Sequence, residues 1–274
     1  MRTDEPTVDE VIRAIKKLKN GRAAGSNGIP PELLKCALGP VSRALHFLFI
    51  QVWRSGIVHA DWQEGIIITL CEGKGPRTLC NNYRPITLLS VPSKVFAYVL
   101  LARIQRLINQ SRRPQQSGFT AGRSAIDAIL ALRLLSELHH EFNRPLNVAF
   151  LDIKSAFDSV DRTALWKALR SKGMPGIILH LITALRKNTG ARIRVGQKLS
   201  PRISTISCVR QGCILASILF CCHWLDNLAQ SFNPGITVGS STFTDLVYAN
   251  DTALLFPSAM DATTSLKSFS ICCT

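Results

Sequence analysis

The sequence predicts an α+β fold, and three observations support this fold class. Hydrophobic residues make up 46% of the 274 residues, enough apolar material to offset the ordering entropy of a folded core. Segments with helical periodicity and runs rich in β-branched residues both occur. They follow one another without the regular alternation of a doubly wound sheet, and no internal repeat or flexible linker interrupts them. At roughly 150 residues a domain, the length predicts about two domains or one large one.

Helical spacing and cap residues predict the helices in order along the chain. The first starts after Thr7, which forms a capping-box pattern with Glu10, and Gly21 is its expected stop. Apolar residues between these points recur every three to four positions. The further predicted helices cover residues 31–53, 90–109, 124–142, 163–172, 177–187 and 213–228.

Short apolar runs bounded by turn residues predict the strands. Residues 65–71 (GIIITLC) are expected to form a buried strand, because β-branched residues dominate this run. A strand over residues 146–152 ends abruptly at the carboxylate of Asp152. Further strands are predicted over residues 191–195 and 202–208, and from residue 236 onward with a tight turn near residues 249–251.

The positive charge is concentrated in two segments. The chain has 33 Lys and Arg against 18 Asp and Glu, a net charge of +15. Residues 74–123 carry nine basic side chains and no acidic one, and residues 186–210 carry seven more, again with no acid. Such one-signed segments predict a polyanionic partner such as a phosphate backbone. A membrane surface fits less well, because the basic residues form no juxtamembrane cluster; a basic protein without such a partner is the third interpretation.

The sequence also predicts that the chain neither spans a membrane nor is secreted. Its longest uncharged apolar run, residues 213–225, is shorter than the roughly 20 residues of a membrane span, so no transmembrane helix is expected. The first residues, MRTDEPTVDE, are polar and contain no apolar signal segment. We therefore expect a nuclear or cytoplasmic protein that is not secreted. Its nine Cys have no CxxC spacing, which favours free thiols over a disulfide framework or a zinc site.

Three sequence motifs together predict the chemistry. In FLDIKSAFD (residues 150–158) Asp152 ends an apolar strand, and in VYANDTALLF (residues 247–256) Asp251 lies at a hairpin tip. Between them VRQGCILASILF (residues 209–220) is a polar entry into an apolar helix. Carboxylates at strand ends can hold Mg²⁺, and two metal ions stabilise an in-line phosphoryl displacement. Each Asp alone is more typical of a turn or a helix cap. A metal-dependent hydrolase is disfavoured because no His cluster accompanies either Asp.

The order of these motifs resembles the reverse transcriptase domain of non-LTR (LINE-type) retrotransposons. The resemblance extends from KKLKNGRAAGSNGI through YRPITLLSVPSKVFAYVLLARI, QSGFTAGRSAIDAI, FLDIKSAFDSVDR and VRQGC to YANDTALLF. It implies the fingers and palm of a right-hand polymerase with the thumb missing. Residues 1–145 would be the fingers with part of the palm, and residues 146–274 the palm with the catalytic motifs. It further implies RNA-directed DNA polymerase activity on an RNA template and a DNA primer with deoxynucleoside triphosphates, and leaves the oligomeric state open.

The same resemblance implies a set of metal-site residues. Asp152 and Asp251 would bind Mg²⁺, for which Mn²⁺ is a substitute, and the Ile153 carbonyl would be a further oxygen ligand. Asn250 stands at the catalytic hairpin tip where the family has a second Asp. An asparagine supplies one neutral oxygen, so the site loses a negative charge and a bridging ligand. We therefore expect this chain to be a weak or inactive polymerase.

The resemblance also implies substrate contacts. Arg84 would contact the triphosphate, with Lys74 as its partner. Phe157 would lie under the sugar and exclude a ribose 2′-OH, and Gln211 and Gly212 would pack on the nucleotide and template base. Further departures from the family pattern are Ser26, Asn27, Glu72, Ile214, Ala216 and Ser217. The alternative hypothesis from a different class is a non-catalytic nucleic-acid-binding remnant of a retroelement, which does not need a carboxylate at residue 250.

Overall fold

The computed structural model describes residues 1–71, 73, 75–112, 115–120, 122–152, 160–205, 212–223, 234–249 and 251–273, and at residues 81, 111, 152, 220–223 and 268–273 the backbone alone. The chain forms two compact units, each assembled from two separate stretches. The first unit comprises residues 1–110 and 157–216, and the second comprises residues 111–156 and 217–274. The division into fingers and palm near residue 145 stays a prediction.

Helices and strands are mixed along the described chain, which confirms the α+β fold class. The helices are α1 (Val8–Lys16), α2 (Pro31–Cys36), α3 (Leu38–Ser55), α4 (Ala60–Gln63), α5 (Val91–Ser111), α6 (Ala125–Glu141), α7 (Arg162–Ser171), α8 (Gly176–Ala184), α9 (Ala216–His223) and α10 (Ala259–Cys273). The strands are β1 (Glu64–Cys71), β2 (Tyr83–Leu89), β3 (Asn147–Asp152), β4 (Gly190–Val195), β5 (Lys198–Leu199), β6 (Ile203–Ser204), β7 (Ile236–Val238), β8 (Ser241–Phe243), β9 (Asp245–Tyr248) and β10 (Asp251–Phe256). None of the described helices combines the length and the apolar character that a membrane span requires.

The N-terminal helix begins where the capping pattern predicts and is held by a partly buried ion pair. Thr7 Oγ1 accepts a hydrogen bond from the Glu10 backbone N–H at 3.3 Å, and Glu10 Oε2 accepts one from the Thr7 N–H at 2.8 Å. The same Glu10 oxygen lies 2.8 Å from Arg103 Nη2 on α5. Arg103 also donates to the backbone carbonyls of Asp4 and Glu5, and its guanidinium lies 4.8 Å from the centroid of the Trp53 ring. One arginine thus fastens the N-terminal segment to α5.

The predicted helix over residues 31–53 is two helices, because Pro40 interrupts it. Ala37 leaves the helical region at φ −108° and ψ 45°, and α3 restarts at Leu38. In an unbroken helix the ring of Pro40 would collide with the carbonyl of Cys36 four residues earlier. With the restart, Pro40 falls in the first turn of α3, where the backbone N–H that proline lacks would have no partner.

A five-stranded sheet organises the first unit. Its order is β2-β1-β4-β5, with β6 also paired to β4; β1 is antiparallel to β2 and parallel to β4. The prediction that residues 65–71 form a buried strand is wrong for the second half of β1, where Thr69, Leu70 and Cys71 are exposed. The parallel pairing with β4 ends at Ile68, so the end of β1 pairs with β2 alone. The sheet strand β2 was not predicted from the sequence.

The second unit contains an antiparallel sheet with the order β3-β10-β9 and a separate β7-β8 hairpin. Its core cluster consists of Leu135 on α6, Ile236 on β7 and Leu255 on β10. Helix α6 packs against β9, and α10 packs against β10 and β3. The last five residues of β10 are buried, because the strand lies between two neighbours and under a helix.

Candidate active site

The two aspartates predicted as metal ligands face each other in the sheet of the second unit. In the antiparallel pair of β10 and β3, Asp251 is the register partner of Asp152. On its other side Asp251 is the partner of Tyr248 on β9. Directly opposed residues of an antiparallel pair have Cα atoms about 4.5–5.5 Å apart. Residues separated by 99 positions in the sequence are therefore neighbours at one end of the same sheet.

Asp251 lies at the boundary between solvent and core. It is the first residue of β10 and is exposed, whereas the next residue, Thr252, is 5% exposed. Thr252 Oγ1 has no hydrogen-bond partner among the residues that the structure describes. The buried remainder of β10 fixes the backbone, while an exposed carboxylate at its start is accessible to a ligand.

The turn before Asp251 has a strained backbone. Ala249 is 8% exposed and has φ +59°, in the left-handed region that residues other than glycine rarely adopt. A tight connection between β9 and β10 demands a positive φ at this point, because such turns match the twist of the paired strands. Surrounding contacts must therefore hold Ala249 in place.

Gln116 supplies those contacts. Its Oε1 accepts hydrogen bonds from the Ala249 N–H at 3.1 Å and the Gly118 N–H at 2.8 Å, and its Nε2 lies 3.3 Å from the Ala249 carbonyl oxygen. The segment around Gln116 forms a short parallel bridge to Val247 on β9, with the Ser117 N–H donating to the Val247 carbonyl at 2.8 Å. Gln116 is 4% exposed, so Ala249 is held by a buried amide whose oxygen and nitrogen both make hydrogen bonds.

Gly118 is required by close packing against the same turn. A Cβ atom at this position would lie 2.1 Å from the Ala249 backbone nitrogen. The two atoms would overlap, so only glycine fits here. Neither Gln116 nor Gly118 was predicted as a site residue, although their segment QSGFTAGR lies between two predicted helices and contributes to the family resemblance. The available signal was a glutamine and a glycine in a short loop between two helices.

In the first unit, two of the predicted substrate residues are associated with β2: Arg84 is part of the strand, and Gly212 packs against its backbone. Gly212 has φ +105°, and a Cβ there would lie 2.5 Å from the carbonyl oxygen of Thr87. Only glycine fits both the backbone conformation and this approach. Thr87 is three residues from the exposed Arg84 on the same strand, which places them about 10 Å apart along β2.

The residue after Gly212 lies in basic surroundings. Arg186 Nη2 is 3.0 Å from the Cys213 sulfur. Burial lowers the pKa of the Lys94 ammonium, Cys213 opposes this effect, and the positive charge of Arg22 lowers that pKa further. Cationic side chains thus surround the start of the loop that leads into α9.

Several predicted site residues lie outside the described part of the chain: Lys74, Ile153, Phe157, Gln211 and Asn250. For Asp152 the structure describes the backbone. Within the described residues there is no group of three or more His, Cys, Asp or Glu side chains arranged to hold a metal ion. The roles assigned to these residues therefore stay predictions.

A family model for reverse transcriptase (RNA-dependent DNA polymerase) matches residues 73–274, well over half of the chain. The chain belongs to the reverse transcriptase family. The match includes both aspartates, the hairpin between β9 and β10, and the strand that carries Arg84. Reverse transcriptases generally use a divalent metal ion, and as polymerases they act on a template, a primer and nucleotides.

The similar proteins are non-LTR retrotransposon products. The chain is 28% identical over 262 residues to the retrovirus-related Pol polyprotein of the R2 element of Popillia japonica, covering 92% of this chain and 35% of that protein. It is 30% identical over 255 residues to the R2 polyprotein of Nasonia vitripennis, covering 91% of this chain and 24% of that protein. It is 24% identical over 216 residues to an uncharacterized 149 kDa protein of transposon TX1 of Xenopus laevis, covering 78% of this chain and 16% of that protein.

The fold is also similar to a solved structure. An apo telomerase of Candida tropicalis, truncated from its C-terminal domain, matches with a TM-score of 0.51 and 12% identity, covering 82% of this chain and 51% of that one. This likeness supports the polymerase fold and nothing more specific. The chain spans about a third or less of the length of the retrotransposon proteins described above.

Proposed function

We propose that this chain is the RNA-directed DNA polymerase domain of a non-LTR retrotransposon and adds deoxynucleotides to a DNA primer on an RNA template. The observation that carries the proposal is the register of β10 on β3, which pairs Asp251 with Asp152. In this proposal residues 1–145 are the fingers with part of the palm, and residues 146–274 are the palm. The proposed compartment is the nucleus or the cytoplasm.

The two register partners suit a hard divalent cation. Asp251 is exposed at the start of its strand, and Asp152 is its neighbour across the ladder. Carboxylate oxygens are the ligands that Mg²⁺ prefers, and the Ile153 carbonyl would add a further oxygen. A metal ion bound there would stabilise the charge that develops on the attacking and leaving oxygens. The Gln116 contacts keep the Asp251 strand aligned with its neighbour.

The proposed substrate contacts come from three parts of the sequence: Arg84 with Lys74, the Gln211–Gly212 pair, and Phe157. Arg84, with Lys74, would bind the triphosphate through charge-assisted hydrogen bonds. Gly212, held against Thr87, would position the loop with Gln211 for the nucleotide and template base. Phe157 would exclude a ribose 2′-OH and so favour deoxynucleotides.

The test is single-nucleotide addition to a DNA primer annealed to an RNA template, with Mg²⁺ and with Mn²⁺. The native chain should be slow, because Asn250 removes one negative charge from the metal site. Asn250→Asp should raise incorporation by on the order of a hundredfold or more, since metal stabilisation of a phosphoryl transition state is worth several kcal/mol.

The control is Asp152→Ala in the Asn250→Asp background, which should abolish the gain. A native chain that already incorporates deoxynucleotides as fast as the Asn250→Asp variant would contradict the role given to Asn250. Incorporation that survives Asp152→Ala and Asp251→Asn would contradict the proposed metal site itself.

The second candidate function is nucleic-acid binding without catalysis, and Asn250 is the observation that favours it. Binding needs the basic surface and not the second carboxylate. The affinity for an RNA:DNA hybrid should then fall steeply with salt, with a log–log slope of roughly −0.7 to −0.9 for each neutralised phosphate. Salt-dependent binding together with no incorporation in either the native or the Asn250→Asp chain would favour this function; a flat salt dependence would exclude it.

A further inference from the structure

A basic cleft in the first unit is lined by none of the described residues that were predicted for metal or substrate binding. We name it the Arg186 cleft; its cavity volume is about 460 Å³. It opens beside α7, the end of α8, the segment between α8 and β4, and strand β6. Its lining includes Arg162, Trp166, Arg186, Lys187, Thr189 and Arg202. No acidic side chain lines the cleft among the residues that the structure describes.

Arg186 is buried without a sufficient set of acceptors. It is 4% exposed, and its Nη2 donates to the Cys213 sulfur at 3.0 Å, which is a weak acceptor. Its Nη1 is buried and has no hydrogen-bond partner within the described residues. A buried cationic donor without an acceptor is costly, so a ligand that supplies oxygen acceptors would stabilise this arrangement.

A second guanidinium is fixed beside it. Arg162 Nη1 donates to the Arg186 carbonyl oxygen at 2.7 Å, and its Nη2 donates to Thr189 Oγ1 at 3.0 Å. Thr189 is 1% exposed, so these contacts hold Arg162 on a rigid part of the wall. Lys187 is exposed at the rim, and Arg202 is 2.8 Å from the Glu64 carboxylate. Four cationic side chains therefore converge on one cavity that is already built.

We propose that the Arg186 cleft binds a phosphate group of a single-stranded nucleic acid, with a nucleoside of the same strand against the Trp166 ring. Phosphate oxygens would accept hydrogen bonds from the Arg186 guanidinium, since guanidinium and phosphate match in charge and geometry. Trp166 is half-buried in the same wall, and base–aromatic stacking is the common means of holding a single strand without sequence preference. The inference rests on the proposed function only in taking a nucleic acid as the partner.

The test measures binding of a labelled short oligouridylate by fluorescence anisotropy, without metal ion or nucleotide triphosphate. Lys187→Gln should weaken binding about fivefold at low salt and reduce the log–log salt slope by about 0.7. Trp166→Ala should weaken binding by about tenfold with an unchanged salt slope. The matched control is Lys167→Gln, which removes an exposed lysine of α7 outside the cleft and should leave affinity and slope near native.

Competitors separate a strand phosphate from a free one. Uridine monophosphate and inorganic phosphate should displace the oligouridylate only at concentrations far above those of an unlabelled strand. A strand with a neutral methylphosphonate backbone should bind Lys187→Gln and native chain equally. The proposal is overturned if Lys187→Gln and Lys167→Gln behave alike, or if uridine monophosphate competes as well as the strand. Since the assay involves no catalysis, an inactive polymerase site does not affect its result.

Discussion

Two buried arginines in the first unit are placed in clefts of similar size but have opposite surroundings. Arg103 lines a cleft of about 400 Å³ together with Glu10, and it is 7% exposed. Arg186 lines the cleft of about 460 Å³ described above and is 4% exposed. Arg103 has carboxylate and carbonyl acceptors for its Nε and both terminal nitrogens, whereas Arg186 Nη1 has none within the described residues.

The difference separates a structural cation from one that is available to a ligand. Glu10 neutralises Arg103 inside the protein, so that this arginine joins the N-terminal segment to α5. No carboxylate lines the described wall around Arg186. The sequence places both residues in acid-free basic segments, yet only the second is suited to a polyanion. A count of basic residues therefore overstates the surface that can contact phosphate.

The largest effect should follow from breaking the Arg103 pair. Arg103→Met leaves the partly buried Glu10 carboxylate and the carbonyls of Asp4 and Glu5 without their donor, which should lower the free energy of unfolding by about 3–5 kcal/mol. Urea denaturation followed by circular dichroism measures it. Arg106→Met, an exposed arginine of the same helix, is the control and should change stability by less than about 0.5 kcal/mol. A small loss for Arg103→Met would remove the contrast between the two clefts.

The second largest loss of stability should come from Gln116, a buried polar group that, like Arg103, makes hydrogen bonds within the protein. Gln116→Leu leaves the Ala249 N–H and carbonyl and the Gly118 N–H without partners, so the free energy of unfolding should fall by about 2–4 kcal/mol. In the Asn250→Asp background this variant should also slow nucleotide addition. Gln115→Leu is the neighbouring control. Unchanged stability for Gln116→Leu would mean that other contacts hold the turn.

The ion pair between Glu10 and Arg103 should also make stability depend on pH. Burial alone raises the pKa of Glu10, but hydrogen bonds from Arg103 and Thr7 lower it by more, so it falls below the ordinary value of 4.5. The ionised Glu10 carboxylate therefore contributes its full stabilisation above pH 4.5. This contribution is lost as the pH falls through the pKa of Glu10 in the folded state. Glu10→Gln should flatten the decline of stability in this acid range, whereas Asp9→Asn, at an exposed position in the same turn, should not. Parallel acid declines in the native chain and Glu10→Gln would contradict the assignment.

The smallest effect should come from Arg186. Arg186→Met removes a buried cation that has no carboxylate partner in the described wall, so stability should change by no more than about 1 kcal/mol in either direction. Thermal denaturation of this variant beside Arg103→Met makes the comparison direct. A loss as large as that of Arg103→Met would identify Arg186 as a structural residue.

Much of the fold was predictable because its signals are local. The Thr7 capping box and the apolar run that ends at Asp152 each involve residues close in the sequence. The start of α1 and the end of β3 form where predicted, whereas α1 ends at Lys16 and not at Gly21. The strand β2 was missed because Pro85 lies within it. Proline lacks a donor for the ladder and usually excludes a strand, but β2 is at the edge of the sheet, where this is tolerated.

The fold class, the order of the motifs and the family that this order indicates all follow from the amino-acid sequence. Which distant residues meet depends on how the chain folds. The pairing of Asp251 with Asp152, the clamp of Gln116 on Ala249 and the absence of a carboxylate in the described wall around Arg186 all depend on chain segments far apart in the sequence. Propensity and periodicity describe near neighbours along the chain, whereas register, burial and charge balance arise from contacts between segments.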